Sequence, residues 1–380
     1  MLKFIAREDG ITRRLPSVVS KLLESERDFR EMDRIEKTER IDPATPTAER
    51  CITSYPARRR YRPGVVYPPQ IPSVAGVIDI HCHAHEGQQD PLALAKLASE
   101  SGMGGLLFKT IGTNTRGEYR PARLVERIKA DLARWSEEAG VAPTACWSGC
   151  GITMDNRPPT VAKLRQQLDD GVVAVWLPVF NHAITLAKVG GRTIWWDPKA
   201  APGDHSLPLP WEEALRYGYY LLDDRGRIKP DIAEIIRIVA DANVALFFGH
   251  ATHAEIFAVA ELLDKLRFRR GVIDHPFSPF VDLDIAQMKQ LVSVGITLNF
   301  TYDELSPLLG VDPARMYEAI RAVGVEHVTL SSDAGEPLFP HTVECMRLIR
   351  GYMAAFGLTE DELRTVSITN PARIVGRASD

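Results

Sequence analysis

From Gly76 onward, short apolar runs alternate with longer amphipathic stretches, and this alternation limits the possible folds more than any other feature of the chain. The apolar runs have the length and β-branched content of strands, whereas the stretches between them are typical of surface helices. Alternating strands and helices predict parallel β-α-β units, and therefore an α/β protein. We predict eight strands, at residues 77–81, 105–109, 144–149, 173–178, 244–249, 271–275, 296–300 and 327–332.

Eight strands fit a closed (β/α)8 TIM barrel, which we predict, and an open doubly wound sheet is the alternative. Residues 1–70 differ, because a charged, helix-prone segment is followed by one rich in proline and arginine. We predict that they form a helical or irregular N-terminal extension, which either wraps the core or a neighbouring subunit or is a partly mobile arm. The barrel domain is predicted to cover residues 71–380, with an insertion after the fourth strand at about residues 180–230.

The composition excludes several classes of protein. The chain is 45% hydrophobic and 25% charged, with a net charge of −4, which is ordinary for a soluble globular protein. A balanced charge gives no support for nucleic acid or an anionic membrane as partner. We see neither a signal peptide nor a transmembrane segment in the sequence, and the five cysteines are scattered. These features predict a cytoplasmic protein with reduced thiols.

Two histidines, His81 and His83, alternate at the end of the first predicted strand. Alternate side chains of a strand share a face, so both imidazoles point the same way. Burying them without a partner would cost several kcal/mol, whereas together they can bind one metal ion. The alternative is a pair of satisfied core histidines.

Other polar residues also fall at the carboxyl ends of predicted strands. Lys109 ends the second strand, His250 the fifth, His275 the sixth and Asp333 the eighth. Barrel enzymes build their active sites at this end. Histidine and aspartate are ligands that divalent transition metals favour, so the sequence predicts a metal site there.

This order of motifs resembles the amidohydrolase superfamily, in which His-x-His lies on the first strand, histidines on the fifth and sixth, and an aspartate on the eighth. The segment SITNPARIVG, residues 367–376, is similar to the Asn-Pro-Ala segment that follows the barrel in that superfamily. The resemblance covers residues 76–376. It implies a metal-dependent enzyme acting on a small molecule, and it does not identify the substrate.

The resemblance also implies roles for the motif residues. His81, His83 and Asp333 would bind one divalent metal ion, with His250 as a further ligand. His275 would either bind a second ion or orient water or substrate beside a single one. We expect one or two ions per chain, zinc first, with manganese, iron or nickel as alternatives. Asp333 would also accept a proton from the attacking water and donate it to the leaving group.

The chain departs from the superfamily at the fourth strand. Many two-metal members carry a carboxylated lysine there, but the segment VAVWLPVFNHA contains no lysine. Lys109 on the second strand is a candidate for that function. It would bridge two metal ions as a carbamate, bind a carboxylate of the substrate, or lie in a buried ion pair.

Several further residues are candidates for the walls of a substrate pocket. Trp147 lies near the end of the third strand, Asn181 and His182 follow the fourth, and Asn299 ends the seventh. Each of them has an alternative role in the core or in a turn. Glu255, close behind His250, is interpreted as a charge in the first turn of a helix, with the fixing of an imidazole tautomer as the alternative.

The predicted function is that of a metal-dependent hydrolase that cleaves a C–N or C–O bond in an amide, lactam, lactone or ester. One alternative is a decarboxylase of the same superfamily, in which Asp333 supplies a proton. Another is a phosphoesterase with three metal ions, against which the Asn-Pro-Ala segment argues. The last is a non-catalytic barrel that serves as an assembly module through its N-terminal extension. We predict a homo-oligomer, because the extension could contact a second subunit and because the resemblance to the superfamily implies oligomers.

Overall fold

The structure is a computed structural model that describes residues 72–84, 89–111, 120–151, 160–177, 182–190, 208–335 and 339–376. The chain divides into two units, Met1–Ile71 and Pro72–Asp380, and all described residues belong to the second. The predicted N-terminal extension and part of the predicted insertion lie outside the described residues. Both therefore stay predictions.

Eight parallel strands form one sheet in which neighbours follow the order of the sequence. All eight predicted strands are confirmed, with ends that differ by a few residues. The strands are β1 (Ile78–Ala84), β2 (Gly105–Ile111), β3 (Ala145–Gly151), β4 (Ala174–Trp176), β5 (Ala245–Phe247), β6 (Gly271–Asp274), β7 (Thr297–Thr301) and β8 (Val328–Ser331).

Helices connect the strands and follow the last one. In the described ranges they are α1 (Pro91–Glu100), α2 (Pro121–Ala139), α3 (Val161–Asp169), α4 (Ala183–Lys188), α5 (Trp211–Tyr217), α6 (Pro230–Asp241), α7 (His253–Lys265), α8 (Ile285–Ser293), α9 (Tyr302–Leu305), α10 (Pro313–Val323), α11 (Thr342–Phe356), α12 (Glu360–Arg364) and α13 (Asn370–Ile374). A 3-10 turn covers Val325–His327, and a π-helical turn covers Thr365–Thr369.

Local sequence signals set the ends of these helices. Helix α2 begins with Pro121, whose missing N–H is no loss in the first turn, and it ends at Gly140 with φ of 67°. Helix α7 begins with a capping box, in which Thr252 and Glu255 each accept a hydrogen bond from the backbone N–H of the other. Such caps stop the helices at the short loops that lead back to the sheet.

The barrel closes between the first strand and the residues that follow the eighth. The Asp333 N–H donates to the carbonyl oxygen of His81, and the His83 N–H donates to that of Ala334, each over 2.8 Å. These bonds join the two edges of the sheet next to the parallel bridge between Cys82 and Ala334. The fold is thus the predicted TIM barrel, and the alternative of an open doubly wound sheet is wrong.

The C-terminal segment of the described chain covers the amino-terminal end of the barrel. Inside the barrel, Trp176 stacks on Phe247 with ring centroids 4.2 Å apart, in an apolar cluster that also includes Ile374. The Asn370 amide donates to the carbonyl oxygens of Val325 and Val328, at the start of β8. This end of the barrel is therefore filled, and the carboxyl end is left for a site. None of the described helices combines the length and the hydrophobicity needed to cross a bilayer.

A substitution at Gly149 would test how tightly the interior of the barrel is packed. A Cβ at this position would overlap the ring of Trp176, which is fully buried. We expect Gly149→Ala to lower the free energy of unfolding by about 1–3 kcal/mol, because a packed core resists added volume. Denaturant unfolding followed by circular dichroism measures this change.

Gly351→Ala is the matched control. Gly351 lies within helix α11, and the nearest atom to its added Cβ is 3.7 Å away, an ordinary contact. Alanine should leave the stability unchanged or raise it by about 0.5–1 kcal/mol. Equal stability of the Gly149→Ala variant and the wild type would contradict the packing described here.

Candidate metal centre

An irregularity in β1 turns His81 into the barrel. The register between β1 and β2 shifts between Asp79 and Cys82 and again before His83. Ile80 belongs to the interior cluster, and the next side chain, His81, also lies inside, with its ring 5.6 Å from that of Trp176. The Asp79 carboxylate accepts hydrogen bonds from the N–H of His81 at 2.9 Å and from that of Ser332 at 3.2 Å. A β-bulge re-aims a side chain in this way, and Asp79 satisfies the amide that the bulge leaves unpaired.

Three side chains converge at the carboxyl end of the barrel. The Nε2 atoms of His81 and His83 each lie 2.9 Å from Oδ1 of Asp333, and the three ligand atoms lie within 4.8 Å of one another. His81 is fully buried, whereas 12% of the side chains of His83 and Asp333 is exposed. The group therefore lies at the inner end of the site and is open on one side.

The residues of this group fit a divalent metal ion. Among the described residues, neither ring nitrogen of the buried His81 has an aligned hydrogen-bond partner, although each lies 2.9 Å from a carboxylate oxygen. An unsatisfied buried nitrogen costs about 1–3 kcal/mol, which a metal ion at Nε2 would offset. Ligand atoms around a tetrahedral zinc ion are about 3.3 Å apart, which is close to the 2.9 Å that separates each imidazole Nε2 from Oδ1 of Asp333.

Burial and charge set the protonation of the group. Burial lowers the pKa of His81, but the carboxylates of Asp274 and Asp333 outweigh it and raise that pKa to about 9. Burial lowers the pKa of His83 to about 3, although Asp333 acts in the opposite direction. Burial alone would raise the pKa of Asp333, but the neighbouring His81 and His83 hold it well below the ordinary value. A cation at Nε2 of His81 would thus replace a proton that the two carboxylates attract.

A second cluster lies beside the first and consists of Lys109, His250 and His275. Nζ of Lys109 is 3.5 Å from Nε2 of His250, and the rings of His250 and His275 are 5.0 Å apart. Nε2 of His275 is 3.9 Å from Oδ2 of Asp333, the carboxylate oxygen that the first group leaves free. Burial lowers the pKa of His275 to about 4 and that of His250 well below its ordinary value, so both offer a neutral nitrogen.

His275 and Asp333 both have left-handed backbone conformations, with φ of 35° and 48°. For residues other than glycine this conformation costs about 1–2 kcal/mol. Backbone hydrogen bonds hold both positions. The N–H of His275 donates to the carbonyl oxygen of Asn299, and the N–H of Asp333 donates to the carbonyl oxygen of His81. Such strain at residues that end strands is typical of functional sites.

Two of the candidate pocket residues are not brought to the mouth of the barrel. Asn299 is fully buried and uses both ends of its amide inside the barrel, where Nδ2 donates to Asp274 and Oδ1 accepts from two hydroxyl groups. The Trp147 ring lies beside Gly105, at the opposite end of β2 from Lys109. The positions of Asn299 and Trp147 therefore do not support direct contact of either side chain with a substrate. Asn181 lies outside the described residues.

His182 is fully buried, and the protein itself uses both of its ring nitrogens. Nδ1 accepts a hydrogen bond from the Ile184 N–H at 3.1 Å, so Nε2 carries the proton and donates to Glu255 over 2.7 Å. Glu255 also accepts from the N–H of Leu221 at 2.7 Å and caps helix α7. Glu255 thus has both of the roles that the sequence left open, and His182 has no nitrogen left for a substrate.

The sequence patterns missed the residues that surround the first group. Asp79, Trp176 and Asp274 are all fully buried, and Asp79 and Asp274 contact His81 directly. The available signal was a charged residue inside an otherwise apolar strand, as in VIDIH and GVIDH. Charges in such positions are rarely buried without a partner.

Comparisons with solved structures agree with this architecture. An amidohydrolase from Pseudomonas aeruginosa matches with a TM-score of 0.51 and 11% identity, over 82% of this chain and 98% of that protein. A probable dipeptidase from the same species matches with a TM-score of 0.50 and 14% identity, over 79% of this chain and 95% of that protein. The chain shares the barrel fold of these two proteins. At these identities the similarity shows the fold alone.

The other comparisons do not identify the reaction. A model of a family of unknown function, DUF6282, matches residues 157–299. A 2,6-dihydroxybenzoate decarboxylase from Rhizobium matches over 80% of this chain and 99% of that protein with 12% identity, but its TM-score of 0.43 is too low to carry an argument. No curated protein matches the chain significantly.

The contribution of the buried contact between His182 and Glu255 to stability can be tested by substitution. Glu255→Ala leaves the Nε2–H of His182 and the N–H of Leu221 buried without an acceptor. We expect the free energy of unfolding to fall by about 3 kcal/mol. Glu261→Ala in the same helix removes only an exposed pair with Lys265, so its effect should stay within about 0.5 kcal/mol. Similar losses for the two variants in denaturant unfolding would contradict the role of Glu255.

Proposed function

We propose that this protein is a metal-dependent hydrolase that cleaves a C–N or C–O bond in a small molecule, such as an amide, lactam, lactone or ester. The observation that carries the proposal is the convergence of His81, His83 and Asp333 at the carboxyl end of the barrel. This histidine and carboxylate set suits a divalent ion, and we expect zinc before manganese, iron or nickel.

A divalent ion at this group would polarise a carbonyl and lower the pKa of bound water from about 15.7 to about 7. The residues around it divide the remaining tasks. Oδ1 of Asp333 faces the two histidines of the first group, whereas Oδ2 faces His275. Oδ2 is thus placed to accept a proton from the attacking water and to return it to the leaving group.

His275 and His250 line the other side of the site. The Nδ1 atom of His275 contacts the Ser278 hydroxyl at 3.0 Å, which leaves Nε2 to point toward Asp333. His250 stacks on Phe280, with ring centroids 4.5 Å apart, and this contact holds its ring in place. Both histidines are placed to orient water or substrate beside one ion, or to bind a second ion.

The chemical state of Lys109 would distinguish a site with one ion from a site with two. Lys109 is 2% exposed, and its Nζ atom lies 3.5 Å from Nε2 of His250. A protonated amine in such a buried position attracts an anion. As a carbamate Lys109 would supply two oxygen ligands for a second ion, and as a free amine it would bind a carboxylate of the substrate.

Metal content tests the proposal directly. We expect purified wild-type protein, after exposure to zinc and removal of free metal, to retain at least one ion per chain. A double variant, His81→Ala with His83→Ala, should lose that ion, because two of its three ligands are gone. Elemental analysis measures the ratio, and His327→Ala, which changes a half-buried histidine outside the candidate ligand group, serves as the control.

Wild-type protein that binds no more zinc than the double variant would contradict the proposal, and the assembly module would then become the leading interpretation. For protein that binds metal, product analysis separates the reaction classes. A released carboxylic acid without carbon dioxide supports hydrolysis. Released carbon dioxide would instead support the decarboxylase.

Lys109→Met tests the role of the buried amine. If Lys109 is a carbamate, the variant should keep the first ion, lose the second and lose the added mass of carbon dioxide in native mass spectrometry. If it binds a carboxylate, metal content should stay unchanged and KM should rise for acidic members of a panel of N-acyl amino acids. Lys289→Met changes an exposed lysine and is the control. Unchanged metal content together with unchanged KM would contradict both roles.

A further inference from the structure

We propose that Asp274 is a positioning residue for the metal centre, which acts through His81 by fixing the proton of that imidazole on Nδ1. This inference rests on the proposed metal site and adds a function for residues outside the ligand group. Asp274 lies at the end of β6 and is fully buried. Its Oδ1 atom is 2.9 Å from Nδ1 of His81, on the side of the ring opposite to Asp333.

A chain of hydrogen bonds crosses the barrel behind His81. The hydroxyl groups of Thr329 and Ser331 on β8 donate to Oδ1 of Asn299 over 2.9 and 2.8 Å. Nδ2 of Asn299 on β7 then donates to Oδ1 of Asp274 over 2.8 Å. Nε1 of Trp176 on β4 donates to the other carboxylate oxygen, also over 2.8 Å. All members of this chain are fully buried.

The direction of each bond follows from the chemistry of the groups. The indole of Trp176 can only donate. An ionised carboxylate can only accept, so the nitrogen of the Asn299 amide faces Asp274 and its oxygen faces the two hydroxyl groups, which donate to it. Asp274 therefore receives two donors whose direction is fixed.

His81 completes this arrangement as the third donor. A bare imidazole nitrogen 2.9 Å from a carboxylate oxygen would place two lone pairs against each other, so Nδ1 carries a proton. The contact between Nδ1 of His81 and Oδ1 of Asp274 lies outside the angles of a well-aligned hydrogen bond. Its length of 2.9 Å and the attraction between imidazole proton and carboxylate nevertheless favour donation from His81 to Asp274. Nε2 lies at the same distance from Asp333, and a metal ion bound at Nε2 would replace the proton there while the proton on Nδ1 keeps its contact with Asp274. A carboxylate that fixes the tautomer of a ligating histidine raises metal affinity.

At His83, the second nitrogen, Nδ1, contacts the Thr110 hydroxyl at 2.6 Å. A hydroxyl group can donate as well as accept, so this contact does not dictate the tautomer. The two ligand histidines are thus held by different means. This difference provides an internal reference for an experiment.

The test compares zinc binding by the wild type and by Asp274→Asn, measured by competition with a chromophoric chelator. Asparagine keeps the shape of the side chain but offers one acceptor oxygen to three donors, so the affinity for Zn²⁺ should fall about 10- to 100-fold. Glu255→Gln is the matched control, because Glu255 is an equally buried carboxylate whose histidine partner, His182, lies outside the ligand group. The control should bind Zn²⁺ as the wild type does.

A spectroscopic readout separates positioning from general damage to the fold. In cobalt-loaded protein with labelled histidine, paramagnetic ¹H NMR detects the exchangeable N–H of each bound imidazole. In Asp274→Asn the N–H of His81 should exchange with solvent faster, whereas that of His83 should be unchanged. If this variant fails to fold, Asn299→Ala retains the carboxylate but removes its amide donor, and it should show the same two effects to a smaller extent.

The outcomes are distinct. Weaker zinc binding with faster exchange confined to His81 supports the inference. A wild type that binds zinc, beside folded variants of equal affinity and unchanged exchange, overturns the inference and leaves the proposed function standing. A wild type that binds no zinc overturns both.

Discussion

The two backbone hydrogen bonds that close the barrel also position its candidate metal ligands. They join His81 to Asp333 and His83 to Ala334, so the seam between the first and last strands includes all three residues of the candidate ligand group. Asp79 strengthens the same seam by accepting from both sides of it. Closure of the sheet and convergence of the ligands are therefore one geometric constraint. A change in the stagger of the strands would separate the imidazoles from the carboxylate at the same time.

The interior of the barrel has two layers with different physical properties. Around Trp176 and Phe247 it is apolar and closely packed. Immediately toward the carboxyl end, Asp274, Asn299 and His81 form a fully buried polar layer. Such a layer is stable only when nearly every donor and acceptor is paired, because the surroundings are poor in water. Trp176 connects the layers, since its ring packs in the first while its Nε1–H donates into the second.

The sequence was sufficient for the strands and for the residues that gather at their carboxyl ends, because periodicity and strand position are local properties. It was insufficient for the direction of individual side chains inside the barrel. The bulge that turns His81 inward depends on pairing with β2, and the inward position of Asn299 depends on Asp274 and on hydroxyl groups from β8. His182 was assigned to a pocket wall because it follows a strand. Its burial against Glu255 required knowledge of contacts between residues 73 positions apart.

The sequence distance across the barrel seam has a consequence for how the molecule is made. His83 and Asp333, which must meet to form the ligand group, are separated by 250 positions. During synthesis the first strand emerges early, and its imidazoles remain without their carboxylate until the eighth strand has been added. Contacts of such long range are slow to form. At the proposed metal site, a growing chain would therefore gain its full affinity only once the barrel has closed, so that capture of the ion would report a completed barrel.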